Sequence, residues 1–215
     1  MSGDFSGFES DISNHFEPQR SEHEKKGLKL GVSSGHLYFA IPRLWEIYGP
    51  KTRFILLVRR PDEFVRSAMA RGFFDPEHPH YCNQLHPASD DPITSTWKYI
   101  SVLERNLWYW SLVNRFVLNT FDKLPGEFWR IFRIEELCAD LVLEICTFLG
   151  IDDISVEFID DLLYRRINSS PGQQGILEPN PYSLPITMPA FSDWDNHQRT
   201  LLDNYTSDIV SRLYS

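Results

Sequence analysis

The segment Lys51–Gly72, KTRFILLVRRPDEFVRSAMARG, decides the expected fold. Its apolar run, Phe54–Val58, ends in Arg59-Arg60-Pro61, and such a run is typical of a strand buried on both faces of a parallel sheet. Pro61 suits the first position of a helix. The apolar residues that follow it recur at helical spacing: Phe64, Val65, Ala68 and Met69. The sequence therefore predicts a buried strand followed at once by a helix.

This junction between strand and helix has the chemistry of an anion site. In open α/β sheets, phosphorylated ligands bind at the carboxyl ends of strands, where free N–H groups and the helix dipole favour negative charge. Arg59 would add charged hydrogen bonds to a phosphate. The alternative is that Asp62 and Glu63 satisfy this helix end without any ligand. These residues alone leave both interpretations open.

The order of strand, Arg-x-Pro, and a serine eight positions after the arginine resembles the 3′-phosphate-binding segment of PAPS-dependent sulfotransferases. In that family the arginine and the serine both hold the 3′-phosphate of PAPS, the sulfuryl donor. The resemblance gives these two roles to Arg59 and Ser67. It also implies an α/β fold, in which a parallel sheet is flanked by helices in a P-loop nucleotide-binding (sulfotransferase-like) architecture.

A second match lies upstream, in the run SSGHLYFAIPRL that contains His36. Cytosolic members of the family carry their catalytic histidine at nearly this distance before the phosphate-binding arginine, and it opens a similar His-Leu segment. Histidine is a suitable base for an acceptor hydroxyl because its pKa lies near neutrality. The resemblance therefore makes His36 the catalytic base, and a histidine that only flanks a helix is the alternative. Ser34 stands where the family often has a lysine.

A looser match covers Phe128–Ile151, which resembles the family's strand, acidic turn and helix ending in Phe-Leu-Gly. Arg133 and Ile134 occupy the neighbourhood of a tyrosine that touches the nucleotide in many members, so we do not expect that contact here. A basic loop commonly closes over the 3′-phosphate in the family. Arg165 and Arg166 are the candidates for it.

The family's phosphosulfate loop, of the type Pro-Lys-Ser-Gly-Thr-Thr, binds the 5′-phosphosulfate through backbone N–H groups and a lysine. The sequence lacks this pattern, because Gly3 and Gly7 have no lysine between them and no strand before them. We therefore expect an architecture truncated at its N-terminus. The open explanations are a fragment, a degenerate member without activity, or another segment that supplies the 5′ contacts.

Composition limits the remaining possibilities. A chain of 215 residues with 42% hydrophobic content can form one substantial core, so we expect a polar arm over residues 1–27 and a single sulfotransferase-like domain over 28–215. The net charge of −9 argues against nucleic acid as a partner. A local basic cluster still suits a small anion: Lys51, Arg53, Arg59, Arg60, Arg66 and Arg71.

Targeting signals and cysteine usage indicate the compartment. No stretch of 18 apolar residues predicts a membrane span, and the N-terminus lacks a secretory hydrophobic region. The three cysteines, Cys82, Cys138 and Cys146, show no disulfide-framework spacing. We therefore expect a reduced, cytoplasmic protein.

Several further elements are predicted. Leu28–Val32 reads as a short strand, Ile93–Phe121 as a long helix capped near Thr94–Thr96, and Gly150 as the end of another helix. Residues 73–92 form a long loop, and its potential metal ligands are His78, His80, Cys82 and His86. Their spacing matches no familiar zinc signature, so no metal is expected.

The predicted function is transfer of a sulfuryl group from the co-substrate PAPS to a hydroxyl or amine of a small-molecule or glycan acceptor. His36 would take the acceptor proton, while Arg59 and Ser67 would hold the 3′-phosphate. The alternative is a catalytically inactive sulfotransferase-like binding protein, or a fragment that lacks the 5′-phosphosulfate loop. The sequence indicates no oligomeric state.

Overall fold

The computed structural model describes residue 14 and residues 16–82, 84–151, 154–169 and 176–215, with only the backbone of 166–169 and 176–177. The glycines at positions 3 and 7 and the side chain of Arg166 lie outside the described residues. The chain divides into two compact units, one ending at Leu37 and one spanning Tyr38–Ser215. This division reflects packing density, and the sequence-based boundary between residues 27 and 28 stays a prediction.

The first unit contains the helix α1 (Glu17–Lys25). Leu28–Val32, expected to be a strand, has no regular secondary structure. The helices of the second unit are α2 (Ile41–Tyr48), α3 (Pro61–Met69), α4 (Val102–Phe121), α5 (Ala139–Leu149), α6 (Val156–Tyr164) and α7 (Asn196–Leu213). Among the described residues, no helix is long and apolar enough to cross a membrane.

The fold is α/β and mostly helical, with a small parallel sheet. The strands β1 (Phe54–Val58) and β2 (Trp129–Arg133) pair in parallel. A second parallel pair joins β3 (Arg165–Ser169) to β4 (Ile176–Pro179). The bounds predicted for the first strand and the start of the helix at Pro61 are confirmed.

The prediction that β1 is buried on both faces is wrong. Leu57 is 46% exposed, and in the described part of the chain β1 pairs with β2 alone. With no further strand beside it, the sheet is too small to be covered completely. Both strands nevertheless end in register, Val58 opposite Arg133, so their carboxyl ends share one edge.

The long helix α4 connects the parts of the second unit, because all four clusters of buried apolar side chains include residues from it. It begins at Val102 rather than at Ile93. Ser101 accepts from the Glu104 backbone N–H at 3.2 Å, and the Glu104 carboxylate accepts from the Ser101 N–H at 2.8 Å. This reciprocal capping box fixes the start of the helix. The expected cap near Thr94–Thr96 instead lies in a short 3₁₀ turn.

The aromatic residues of α4 belong mainly to the core. Trp108, Tyr109 and Trp110 are all buried, as expected for aromatic side chains at helical spacing. They pack against α3, which lies along α4, and against α7. Gly150, predicted as a helix end, adopts a left-handed conformation with φ 66° after α5.

Candidate functional site

Arg59 follows the last residue of β1 and precedes α3, at the carboxyl edge of the parallel pair. Its backbone carbonyl accepts a hydrogen bond from the Trp110 indole N–H at 2.9 Å. Within the described residues, its guanidinium donates no hydrogen bond and forms no ion pair. The group is partly buried. A cation with a fixed backbone and an uncommitted side chain is suited to an anionic ligand.

Arg60, the next residue, has the opposite surroundings. Its guanidinium pairs with the buried carboxylate of Asp62, with Nε to Oδ1 at 3.1 Å. Its backbone N–H donates to the Glu135 carboxylate at 2.6 Å. Internal carboxylates therefore satisfy Arg60, but its N–H just before α3 is bound by Glu135, whereas the expected Asp62 and Glu63 pair with the guanidiniums of Arg60 and Arg66. Ligand contacts at this position would come from the side chain of Arg59.

Arg71 provides a second positive charge, just after the C-terminal end of α3. Burial lowers the pKa of the Arg71 guanidinium, and the positive charge of Arg59 lowers it further. The charge of Arg59 therefore reaches the Arg71 guanidinium and makes its charged form less favourable. A phosphate would relieve this repulsion, because it carries up to two negative charges and several acceptor oxygens.

Ser67 lies in the last turn of α3 and is only 7% exposed. Its hydroxyl makes no hydrogen bond within the described part of the chain. A hydroxyl without an internal partner can donate a hydrogen bond to a ligand. Ser67 thus lies on α3, with Arg59 just before this helix and Arg71 just after its end.

The carboxyl end of β2 is occupied by a cluster of paired groups. The Arg133 guanidinium donates to the Leu213 carbonyl at 2.9 Å and to Glu136 at 3.0 Å, and it lies over the Tyr214 ring. The Tyr214 hydroxyl lies 3.4 Å from Glu135. Burial raises the pKa of Tyr214, and the charge of Glu135 adds to this effect. The side chains at the carboxyl end of β2 therefore bind one another and not a ligand.

His36 lies in the first compact unit and is exposed. Its backbone N–H donates to Ser34 Oγ at 3.1 Å. Its imidazole ring has no hydrogen-bond partner among the described residues, so no carboxylate or carbonyl there fixes its tautomer. Its assignment as the catalytic base stays a prediction.

In the histidine-rich loop, His78 has a structural role. The buried His78 places Nε2 3.2 Å from the Ala70 carbonyl and accepts the His80 backbone N–H at Nδ1, at 3.0 Å. Gly72 packs directly against this ring with φ 74°, and an added Cβ would lie 2.5 Å from Nδ1. In the part of the chain that the structure describes, no group of three or more His, Cys, Asp or Glu residues could hold a metal ion.

Of the two candidates for the basic closing loop, Arg165 already has an acidic partner. Arg165 forms an ion pair with Glu178, across the β3–β4 pair. Its guanidinium would have to leave this carboxylate to reach a phosphate. The side chain of Arg166 is not described.

Two residues that shape the site were missed at the sequence level. Glu135 reaches the start of α3, and Trp110 reaches the Arg59 carbonyl, from positions far along the chain. The position of Glu135 carried a signal, since an acidic pair just after a strand parallel to β1 lies at the same sheet edge. No comparable signal exists for Trp110, which reads as one more core aromatic.

The chain was compared with protein-family models, with curated proteins and with solved structures. None of the three comparisons gives a match.

Proposed function

We propose that the chain is a PAPS-dependent sulfotransferase of the P-loop nucleotide-binding kind, in which Arg59 and Ser67 hold the 3′-phosphate of the donor. The observation that supports this most directly is the Arg59 guanidinium, which has no partner in the described chain and lies at the carboxyl edge of a parallel strand pair. Further support comes from the nearby charge of Arg71 and from the Ser67 hydroxyl, which makes no hydrogen bond in the described chain. This donor set fits a phosphate.

The proposed reaction divides into positioning and proton transfer. When PAPS is bound, the oxygen or nitrogen of a small-molecule or glycan acceptor attacks its sulfur. The bond from sulfur to the phosphate oxygen breaks, and PAP is released. Arg59 and Ser67 hold the 3′ end of the nucleotide and so limit its motion. His36 takes the proton of the acceptor group. The three unpaired cysteines are compatible with the proposed cytoplasmic location, where thiols stay reduced.

The first experiment is calorimetric titration of the full chain with PAP, followed by release of PAP from PAPS in the presence of phenol, sugar and amine acceptors. We expect micromolar binding of PAP and transfer to at least one acceptor class. No PAP binding by the intact chain overturns the proposal.

Replacing His36 tests the catalytic part separately. His36→Ala should abolish transfer and leave PAP affinity unchanged, because the residue acts on the acceptor and not on the nucleotide. His197→Ala, which removes an exposed histidine at the start of α7, is the control and should keep full activity. Transfer that survives in His36→Ala assigns the base to another residue.

A second candidate function is binding of a 3′-phosphorylated nucleotide without transfer. It is favoured by the exposed His36 ring, which lacks an orienting partner in the described residues although a catalytic histidine is usually held by one. This candidate predicts PAP binding that depends on Arg59, with no release of PAP from PAPS under any acceptor.

A further inference from the structure

Two side chains of α4 donate hydrogen bonds to the backbone on either side of α3. One acceptor carbonyl lies just before α3 and the other lies after its end. At the start, the Trp110 indole N–H donates to the Arg59 carbonyl at 2.9 Å. Past the other end, Asn106 Nδ2 donates to the Phe73 carbonyl at 3.1 Å. Trp110 and Asn106 lie one turn apart on α4, so a single helix face holds both segments that flank α3.

Both donors are deeply buried, with Trp110 3% exposed and Asn106 fully buried. Asn106 Nδ2 also donates to the Val102 carbonyl at 2.9 Å, while its Oδ1 is buried without a hydrogen-bond partner. A buried acceptor without a partner costs free energy. The amide therefore serves as a donor, and it holds the turn that contains Arg71 against α4.

The two attached segments carry the charges of the candidate site. Arg59 supplies the carbonyl that Trp110 binds, and Arg71 lies two residues before the carbonyl that Asn106 binds. The positive charge of Arg59 disfavours that of Arg71, so the two guanidiniums repel each other. The bonds to α4 limit the motion of the backbone segments that carry these two side chains. The site is thereby pre-organised, and the free-energy cost of ordering it when an anion binds is smaller.

We infer that Trp110 and Asn106 are positioning residues for the anion site formed by Arg59, Ser67 and Arg71. The inference rests on the proposed function, because it assigns these two residues to the binding of the same 3′-phosphate. Neither residue touches the ligand. Each acts through the backbone to which it donates.

The test compares two tryptophans that make the same kind of bond. Trp110→Phe keeps most of the ring packing and removes the N–H that holds Arg59. Trp194→Phe is the matched control, because Trp194 is also 3% exposed and donates its indole N–H to a backbone carbonyl, that of Pro189, at 3.1 Å. PAP affinity is measured by calorimetry, and the stability of each variant by urea unfolding.

We expect Trp110→Phe to bind PAP about tenfold more weakly. Trp194→Phe should bind it as the wild type does, although both variants lose a similar amount of stability. In turnover, Trp110→Phe should raise the KM for PAPS and leave kcat unchanged, because the positioning acts on donor binding. Equal affinity of Trp110→Phe and the wild type, or equal weakening in both variants, overturns the inference and leaves the proposed function intact.

A second pair of variants covers the case in which Trp110→Phe does not fold. Asn106→Ala should weaken PAP binding about threefold to tenfold. Asn114→Ala is its control, since Asn114 is buried on the same helix and donates its Nδ2 within that helix, to the Trp110 carbonyl at 2.8 Å. Unchanged affinity in Asn106→Ala overturns the role of that residue. Absence of PAP binding in the wild type overturns the proposed function, and the positioning role with it.

Discussion

The two strands of the parallel pair end side by side in arginines with opposite surroundings. Arg133, the last residue of β2, is bonded to a carbonyl and a carboxylate and lies over an aromatic ring. Arg59, just after β1, has a fixed backbone and a guanidinium without a partner in the described chain. The position at the sheet edge is nearly the same, so position alone does not assign a function. The partners distinguish a cation that stabilises the fold from one that can bind a ligand.

The difference has consequences for stability as well as binding. An arginine with several internal partners contributes to folding, and its loss leaves those partners unsatisfied. An arginine near a like charge contributes nothing or slightly opposes folding. Substitutions on the two sides of the edge should therefore affect different measurements.

Arg59→Ala should have the largest effect, a loss of at least about a hundredfold in PAP affinity, because it removes the charged donors proposed to hold the 3′-phosphate. The free energy of unfolding should stay within about 0.5 kcal/mol of the wild type or rise, since repulsion of Arg71 disappears. Calorimetry and urea unfolding measure the two quantities. Arg60→Ala is the control, because its guanidinium is already bound to Asp62. Equal losses of PAP affinity in both variants would show that Arg59 and Arg60 do not differ in their contribution to binding.

Arg133→Ala should lower the free energy of unfolding by about 1–2 kcal/mol and change PAP affinity less than about twofold. The loss follows from the freed Leu213 carbonyl, the lost Glu136 pair and the lost contact with the Tyr214 ring. Urea denaturation measures it. Arg115→Ala, which breaks an exposed ion pair, is the control and should cost less than about 0.5 kcal/mol. A loss of PAP affinity in Arg133→Ala with unchanged stability would reverse the assignment of the two arginines.

The stability that the contacts at the carboxyl end of β2 provide should also depend on pH in the alkaline range. Burial and the neighbouring Glu135 raise the pKa of Tyr214 above its ordinary value of about 10, so the folded state favours the neutral phenol. Above pH ~10 the unfolded chain releases this proton first, and the stability is lost as the pH rises toward the folded pKa. The slope from one group is at most about 1.4 kcal/mol per pH unit, and partial exposure of the phenol reduces it.

Tyr214→Phe removes this titration. Its free energy of unfolding should fall less steeply than that of the wild type between pH ~10 and the onset of alkaline unfolding, as measured by urea unfolding at a series of pH values. Other buried tyrosines, such as Tyr109, contribute equally to both proteins and cancel in the difference. Parallel curves for the two proteins would contradict the role given to Tyr214.

Glu135→Gln should have the smallest effect, an increase of about threefold in PAP affinity. The amide oxygen can still accept the Arg60 N–H, while the negative charge beside the anion site disappears. Calorimetric titration with PAP measures the change, and Glu136→Gln is the control because that carboxylate pairs with Arg133. A decrease in affinity would show that Glu135 orients the site rather than competing with the anion.

The elements that a local rule specifies are confirmed. The apolar run predicted β1 with its observed bounds, Pro61 began the helix, and Gly150 ended another in a left-handed conformation. The predicted start of the long helix, near Thr94, is wrong because two local signals compete there. The reciprocal bonds of Ser101 and Glu104 decide the start. A complete capping box satisfies two groups at once and so outweighs isolated cap residues.

The local sequence is sufficient to specify β1, the start of α3 and the adjacent arginines at their junction, because propensity, capping and apolar runs act over a few residues. Tertiary packing decided which distant groups hold the backbone at this junction, where the Glu135 carboxylate accepts the Arg60 N–H and the Trp110 indole N–H donates to the Arg59 carbonyl. The groups responsible, Glu135 and Trp110, lie 75 and 51 residues from the backbone groups they contact. Such separations leave no periodic pattern in a sequence, since the fold brings the partners together through packing of whole elements.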